Sequence, residues 1–324
     1  MRRALSALLS VMLVLAFMPA AVLAGGTILA GSGASDAPYL IYTAEDLAAF
    51  RDRVNSGETA ACGKLMADIV LNENFDQEKF ALDGDDNLTY NGGAVPETFS
   101  RWTPIGTETN PYIGTFDGNG HGVIGLYVNE SDGYQGMFGW LASGGAIQNL
   151  GVIKSVVAGA SYVGGLTGGN SGGRIKNVRY TGMVLGHGSV GGLVGYLDNN
   201  GEIVDSYHTG PVISNSFAGG IIGYGWGGSV RKSHNTGTVS GYASVGGIVG
   251  YNLACMLEEC YNTGAVSKGQ KIGGVIGWNY GSVLKCYNSA TVSGGSSTGG
   301  VVGYNSGSIT NSYNIGAVSG NVSA

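Results

Sequence analysis

At residues 245–252 the chain reads Val-Gly-Gly-Ile-Val-Gly-Tyr-Asn, and variants of this stretch recur through its C-terminal half. The recurring element is a glycine pair, two mostly aliphatic residues, a third glycine and an aromatic residue. The first glycine of each pair stands at positions 164, 191, 219, 246, 273 and 299, so the period is 26 to 28 residues. A fixed period in this range is typical of a repeat array, in which each unit buries its apolar side chains by stacking on its neighbours.

Each unit divides into three strand-like pieces: the glycine-pair piece, a piece like Ser308–Asn314 and a piece like Gly316–Ser319. Three short strands and three turns per unit predict one coil of an all-β, three-sided parallel β-solenoid. In such a stack equivalent residues lie roughly 4.8 Å apart, so like residues form rows. Two aliphatic rows are predicted: Ile147, Ile175, Ile203, Val230, Leu257, Val283, Ile309; and Val184, Val212, Val239, Val266, Val292, Val318.

Polar and aromatic residues repeat in the same way. A partial amide row is predicted at Asn252, Asn279 and Asn305, with Asn170 in the same slot. One aromatic row is predicted at Tyr180, Tyr207, His234, Tyr261, Tyr287 and Tyr313. The other comprises Tyr196, Tyr224, Tyr251, Trp278 and Tyr304. We take the last row as the candidate ligand-binding site, because exposed aromatic rings give much contact energy at little entropic cost. An inward-facing stack is the alternative, and Thr167 in the Val194 slot favours exposure.

Composition limits the function. The net charge is −6 and charged residues are 12% of the chain, which gives no basic surface for nucleic acid. Residues 1–24 begin with Arg2 and Arg3, continue with an apolar run and end in small residues, as a secretory signal peptide does. A membrane anchor is the alternative reading of that run. We therefore expect a secreted or extracellular cell-surface protein with no membrane span after signal removal.

The segment before the repeats is organised differently. Residues 25–38 are small and polar and are predicted to be a linker; residues 39–134 are predicted to form an N-terminal cap and the first coils, and residues 135–324 the repeat solenoid. Thr43 and Asp46 form a capping-box pattern that starts a short amphipathic helix extending to Val54. Strands are expected near Tyr39–Tyr42 and Lys64–Leu71, and an irregular acidic loop over Asn72–Phe99.

The glycine-pair motif resembles the GLUG motif of bacterial secreted and cell-surface proteins. The N-terminal segment is similar to the start of the same proteins at Thr43–Leu47, Asp68–Asn72, Trp102–Gly106 and Phe116–Val128. The resemblance implies a pectate-lyase-like or related parallel β-helix in an adhesin-like surface setting, and it implies no activity. Such repeats stand beside peptidase and adhesin modules in other proteins.

Candidate catalytic and metal-binding groups are few. Asp198, Glu202 and Asp205 lie in one unit, and Glu258 and Glu259 lie two units later. Because successive strand residues face opposite sides, Glu258 and Glu259 are not expected to line one groove. The acidic run that comprises Asp83, Asp85, Asp86 and Asn87 is read as a solvated loop in preference to a calcium site, because it lacks the glycine-and-glutamate pattern of a calcium loop. No His-Glu-x-x-His pattern is present, so no zinc peptidase, other metal site or cofactor is predicted.

Cys260 and Cys286 occupy one slot in successive units. Their expected separation and an exported location permit a disulfide, and a pair of small buried thiols is the equal alternative.

The function predicted from these observations is a non-catalytic surface module that binds a glycan or a protein through its lateral faces. A polysaccharide-degrading lyase or hydrolase and a structural spacer of a larger surface protein are the two alternatives. The sequence ends just after a repeat with no evident polar cap, which leaves three alternatives: end-to-end self-association, a last loop that serves as a weak cap, or a chain that is a fragment of a longer protein.

Overall fold

The computed structural model describes residues 28–83 and 87–320. The predicted signal peptide lies outside these residues. Within them the chain winds into stacked coils, and each strand pairs in parallel and in register with its counterparts in the coils before and after it. The prediction of an all-β parallel β-solenoid is confirmed.

Three parallel sheets run along the stack of described residues. The seven-stranded sheet comprises Phe138–Ala142, Thr167–Ser171, Val194–Asp198, Ile222–Gly225, Val249–Asn252, Ile276–Asn279 and Val302–Asn305. The six-stranded sheet comprises Val163–Gly164, Ser189–Gly191, Phe217–Gly219, Ser244–Gly246, Lys271–Gly273 and Ser297–Gly299.

The third, or large, sheet contains the remaining parallel strands. It starts with Tyr39–Ile41, Gly63–Leu65, Ile69–Val70, Thr115–Asp117, Gly122–Ile124 and Tyr127–Asn129, and continues with the long strands Ala146–Gly159 and Arg174–Gly186. After them each coil gives three short strands: Glu202–Val204, Tyr207–His208, Val212–Ser214; Ser229–Arg231, His234–Asn235, Val239–Ser240; Met256–Glu258, Tyr261–Asn262, Val266–Ser267; Ser282–Leu284, Tyr287–Asn288, Val292–Gly294; and Ser308–Thr310, Tyr313–Asn314, Val318–Gly320. A full coil thus has five short strands in three sheets, where the sequence predicted three strands.

The predicted aliphatic rows are the core of the solenoid. Ile175 pairs with Ile203, and Val184 pairs with Val212, and the same partnering continues to Ile309 and Val318. Between the two ends of the stack these side chains are almost completely buried. Burial of stacked apolar rows therefore holds neighbouring coils together, as the period predicted.

The prediction of an aromatic row that begins at Tyr180 was wrong for its first member. Tyr180 pairs with His208, and Arg179 is the partner of Tyr207. The spacing from Ile175 to Tyr180 is one residue longer than the spacing from Ile203 to Tyr207, so Tyr180 turns inward and is fully buried. The outward row starts at Tyr207.

The inward slot next to that row forms a buried polar ladder that sequence reasoning missed. Below Tyr180 it comprises His208, Asn235, Asn262, Asn288 and Asn314. The Asn262 amide donates to Asn288 Oδ1 at 2.8 Å and to Gly264 O at 2.7 Å. Its own oxygen accepts from Asn235 at 2.9 Å and from the Gly264 amide at 3.2 Å. Each asparagine joins its own turn to the next coil.

The second glycine of each repeat makes room for this ladder. A Cβ on Gly247 would lie 2.1 Å from Gly274 O and 2.3 Å from Asn262 Cγ. The corresponding glycines face the ladder residue of their own coil in the same way: Gly192 faces His208, Gly220 faces Asn235, Gly274 faces Asn288 and Gly300 faces Asn314. The glycine motif and the Tyr-Asn piece of each repeat are therefore two halves of one packing unit.

The N-terminal end of the core is closed by the predicted helix, which spans Ala44–Asn55. Thr43 and Asp46 form the predicted capping box, and Leu47, Phe50 and Val54 are fully buried. The Phe50 ring packs 5.5 Å from the Phe116 ring and 6.1 Å from that of Tyr112. Residues 28–38, predicted to be a linker, lie beside the first strand, where Leu29 is buried and Ala30 bridges Leu40.

The prediction of an irregular loop over Asn72–Phe99 was wrong in part. This segment contains a 3-10 turn at Gln77–Lys79 and an antiparallel hairpin of Phe80–Leu82 with Leu88–Tyr90. An aromatic cluster of Phe75, Phe80, Tyr90, Phe99 and Tyr127 holds the hairpin against the outer face of the large sheet. Strands of three residues are too short to show an alternating pattern, which is why the sequence concealed them.

Candidate functional site

The predicted binding row lies on the outside of the seven-stranded sheet. Its members Tyr196, Tyr224, Tyr251, Trp278 and Tyr304 are consecutive strand partners. The first four side chains are half-buried, and Tyr304 is exposed. Thr167, which had suggested an exposed neighbouring slot, is fully buried and donates its hydroxyl to Gly169 O at 2.8 Å.

The rings of this row do not all present the same surface. Tyr224 stacks on Tyr251 at 5.1 Å with 9° between the planes, and Tyr196 stacks on Tyr224 at 5.8 Å and 20°. Parallel stacking along the row covers the ring faces and leaves ring edges and hydroxyls at the surface. Trp278 breaks the stack, because its plane is tilted by 57° from Tyr251.

Two flanking residues that sequence reasoning missed also carry exposed rings. Trp226 and Tyr280 each lie two residues after a row member, and their side chains are 57% and 40% exposed. The Trp226 ring is 6.3 Å from Tyr224, and the Tyr280 ring is 5.8 Å from Trp278. An aromatic residue two positions after the row, present only in some repeats, was the signal available in the sequence.

Further rings extend the row toward the N-terminal coils. Tyr162 lies 5.2 Å from Tyr196 and stacks on Tyr134 at 4.9 Å, and Tyr134 meets Trp140 edge-on at 4.6 Å. We call the whole surface the aromatic band: Tyr134, Trp140, Tyr162, Tyr196, Tyr224, Trp226, Tyr251, Trp278, Tyr280 and Tyr304.

The polar groups beside the band differ along its length. Burial raises the pKa of Tyr134 and of Tyr196 to about 12, and the nearby carboxylates of Glu108 and Asp198 add to these shifts. The Tyr196 hydroxyl donates to Asp198 Oδ2 at 3.2 Å. Farther along, Lys271 Nζ lies 4.0 Å from the centroid of the Trp278 ring, within cation–π distance. The hydroxyls of Tyr134 and Tyr196 therefore remain protonated hydrogen-bond donors at neutral pH.

The second outward aromatic row is regularly stacked throughout. Centroid distances run from 4.5 to 5.3 Å and plane angles from 4° to 11° through Tyr207, His234, Tyr261, Tyr287 and Tyr313. Its interior ring faces are covered by neighbours, so it offers edges rather than a stacking platform.

The candidate catalytic acids divide between two places. Asp198 lies beside the aromatic band, whereas Glu202, Asp205, Glu258 and Glu259 line one shallow depression on the large sheet. The expectation that Glu258 and Glu259 face different sides was wrong. Glu259 has a φ of 56°, so the left-handed backbone there breaks the alternation of strand residues.

Cations are interleaved with these carboxylates. Arg231 lies between Glu202 and Glu258 at 4.0 and 3.9 Å, Arg174 is 3.2 Å from Glu202, and Lys285 is 3.2 Å from Glu259. The depression is therefore a surface ion-pair network along successive coils.

The remaining candidates are placed as follows. All four cysteines are buried free thiols in the structure, and Cys260 and Cys286 interact side chain to side chain. Burial raises the pKa of the Cys260 thiol well above its usual range. The disulfide between Cys260 and Cys286 stays a prediction.

Asp85 and Asp86 of the acidic run lie outside the described residues. No described group of three or more His, Cys, Asp or Glu has the geometry to hold a metal ion.

Comparison with known proteins identifies the repeat. Residues 241–267 match the family profile described as "The GLUG motif". The chain carries a GLUG motif in this segment. The resemblance read from the sequence is thereby confirmed.

Two relatives match part of the chain. A protein of Evansella cellulosilytica named "Putative Gly-rich membrane protein" is 32% identical over 144 residues, which are 43% of this chain and 14% of that protein. "Halomucin" of Haloquadratum walsbyi is 32% identical over 140 residues, which are 43% of this chain and 1% of that protein. The chain thus spans a small part of the length of these relatives. Of the residues that the structure describes, none form a helix long and apolar enough to cross a bilayer.

Two solved structures share the fold. One, titled a "putative immunoglobulin A1 protease" from Bacteroides ovatus, has a TM-score of 0.63 and 20% identity, and the match covers 88% of this chain and 86% of that one. Another, titled "IgA1 Protease", has a TM-score of 0.60 and 19% identity, with 85% of this chain and 21% of that chain covered. At this identity the likeness concerns the fold alone.

Proposed function

We propose that this GLUG-repeat chain is a non-catalytic binding module of an exported or cell-surface protein, and that the aromatic band binds a glycan. The observation that carries the proposal is the presence of exposed rings at Trp226, Tyr280 and Tyr304, next to a row of tyrosine hydroxyls. Open ring faces supply apolar contact area, and the hydroxyls can exchange hydrogen bonds with a hydroxyl-rich ligand. The relatives' names, which include a membrane protein, support a surface setting.

The non-catalytic assignment is supported by the ion pairing of the candidate acids. Most glycoside hydrolases use two carboxyl groups that flank the scissile bond of the substrate. In the depression, Arg231 stands between Glu202 and Glu258, and Lys285 pairs with Glu259. These carboxylates therefore have a structural explanation: they form surface ion pairs with cations on neighbouring coils.

The test is glycan-array screening followed by titration of the best glycan. We expect Trp226→Ala combined with Tyr280→Ala to weaken binding at least about ten-fold, which is about 1.4 kcal/mol. Both rings are substantially exposed, so the melting temperature should change little. Tyr251→Ala with Trp278→Ala, within the row itself, should weaken binding as well.

The matched control is Tyr242→Ala, because Tyr242 is 68% exposed and lies outside the aromatic band. Equal glycan affinity of the wild type and the Trp226/Tyr280 variant would count against the band as the site. Binding to a protein surface and to no glycan would change the ligand class while keeping the module non-catalytic.

A degradative enzyme is the second candidate, because four carboxylates share one depression and the solved structures of this fold are titled as proteases. Incubation with acidic and neutral polysaccharides and with immunoglobulin A1 tests it directly. Product release that is lost in Asp205→Ala would establish catalysis and overturn the binding-module proposal. A structural spacer predicts neither ligand nor product.

A further inference from the structure

A second concave surface lies away from the aromatic band, between the hairpin and the outer face of the large sheet. It is a cleft of about 360 Å³, within the size range of ligand pockets. Leu82 and Leu88 of the hairpin form one wall, and Leu185 and Ile213 on successive coils form the floor. The described coils after residue 135 contain no antiparallel strand pair of this kind, so the N-terminal segment creates the cleft.

The floor belongs to a row whose chemistry changes along the stack. Ala158, Leu185 and Ile213 are consecutive strand partners, and the next four members of the same outward row are Ser240, Ser267, Ser293 and Ser319. Leu185 is almost buried under the hairpin, whereas Ile213 is only partly covered. The aliphatic part of the row thus reaches the edge of the hairpin's apolar cluster, where Ile213 remains partly exposed.

The rim of the cleft is polar and rich in amides. Asn87, Asn129 and Ser131 line one part of it, and Asn215 lies opposite, with its amide 2.9 Å from His187 Nδ1. Carboxamide side chains both donate and accept hydrogen bonds, as a peptide backbone does. An aliphatic floor with an amide rim matches an extended peptide with an aliphatic side chain better than it matches a sugar, for which ring faces would be expected.

The charge of the residues near the cleft favours one kind of partner. Among the described residues that line the cleft, the one carboxylate is that of Glu130, held 3.7 Å from Arg101, and none is a lysine or an arginine. Residues 36–132, which include the hairpin that forms one wall of the cleft, contain 17 Asp and Glu but five Lys and Arg. An acidic neighbourhood attracts cationic ligands and repels anionic ones.

We propose that this cleft docks an extended, cationic segment of a partner protein, with an aliphatic side chain seated on Leu185 and Ile213. Its main chain lies against the amide rim, and its flanking Lys or Arg residues face the acidic N-terminal coils. This site is independent of the aromatic band.

The probe is a fluorescein-labelled peptide, Gly-Lys-Val-Leu-Lys-Gly, titrated by fluorescence anisotropy against the full chain at low salt. Two companion peptides replace Leu and Val by Ser, or both Lys by Glu. We expect saturable binding of the parent peptide and at least ten-fold weaker binding of both companions. Binding should weaken as salt is added.

The diagnostic variant is Ile213→Ser, which places in the cleft the residue that follows in the same row. It should lower the affinity for the parent peptide at least ten-fold without loss of the β-sheet circular dichroism. The control is Ser240→Ala, in the same row outside the cleft, which should bind as the wild type does.

Three results would overturn the proposal: no saturable binding of the parent peptide, equal binding of the serine and leucine peptides, or an unchanged affinity in Ile213→Ser. Concentration-dependent dimerisation that Ile213→Ser abolishes would assign the cleft to a second copy of this chain and would overturn it too.

Discussion

At the scale of single residues, His208 is the exception in the polar ladder, because asparagines occupy the next four positions. Its ring is fully buried and stacks on Tyr180. In the neutral ring Nδ1 donates to Asn235 Oδ1 at 3.1 Å, and Nε2 accepts from the Gly210 amide at 3.2 Å. Burial lowers the pKa of His208 from 6.5 to about 4. The folded protein therefore keeps His208 neutral at pH values where the unfolded chain protonates it.

This difference predicts a loss of stability in mild acid. Between pH 6.5 and 4 the unfolded state binds a proton that the folded state does not, so the free energy of unfolding falls as the pH falls. Over this whole pH range, the pKa difference of His208 lowers the free energy of unfolding by about 3 kcal/mol. Denaturant unfolding at pH 7.5 and pH 5 should show part of it in the wild type, and His208→Asn should remove that part while preserving the ladder. The same pH dependence in both proteins would exclude His208 as its source.

At the scale of the repeat element, the glycine motif and the polar ladder depend on each other. Gly247→Ala places a methyl group against Gly274 O and Asn262, neither of which has space to retreat within the stack. We expect a loss of about 3 kcal/mol in the free energy of unfolding, at the upper end for overpacking. Gly93→Ala is the matched control, because a Cβ there meets its nearest atom at 3.8 Å. Equal stability of the two variants would contradict this packing.

Part of the structure of the repeat could be predicted from the sequence. The period, the aliphatic rows and the binding row follow from spacing alone, because in-register stacking repeats each position once per coil. The polar ladder could not be predicted from spacing, because Tyr and Asn are adjacent in each repeat and only the structure shows which of them faces inward. The one-residue shift at Tyr180 was readable from its distance to Ile175. The exposure of Trp226 was not, because ring orientation depends on neighbours in other coils.

At the scale of the whole molecule, a solenoid is stabilised coil by coil, so damage should spread only to adjacent coils. The helix Ala44–Asn55 closes one end of the core, where Phe50 is fully buried against Tyr39, Tyr112 and Phe116. Phe50→Ala should cost about 3 to 5 kcal/mol locally. Hydrogen exchange should then accelerate in Tyr39–Ile41, Gly63–Leu65 and Thr115–Asp117.

Strands several coils away, such as Val249–Asn252, should keep their protection in Phe50→Ala, because no contact connects them directly to the helix. Glu45→Gln, an exposed change in the first turn of the same helix, should leave all of these strands protected. A uniform loss of protection from the first coil to the last would mean that the stack unfolds as one cooperative body. Stability would then be a property of the whole stack and not of pairs of neighbouring coils. A local change at the helix would then also destabilise the aromatic band.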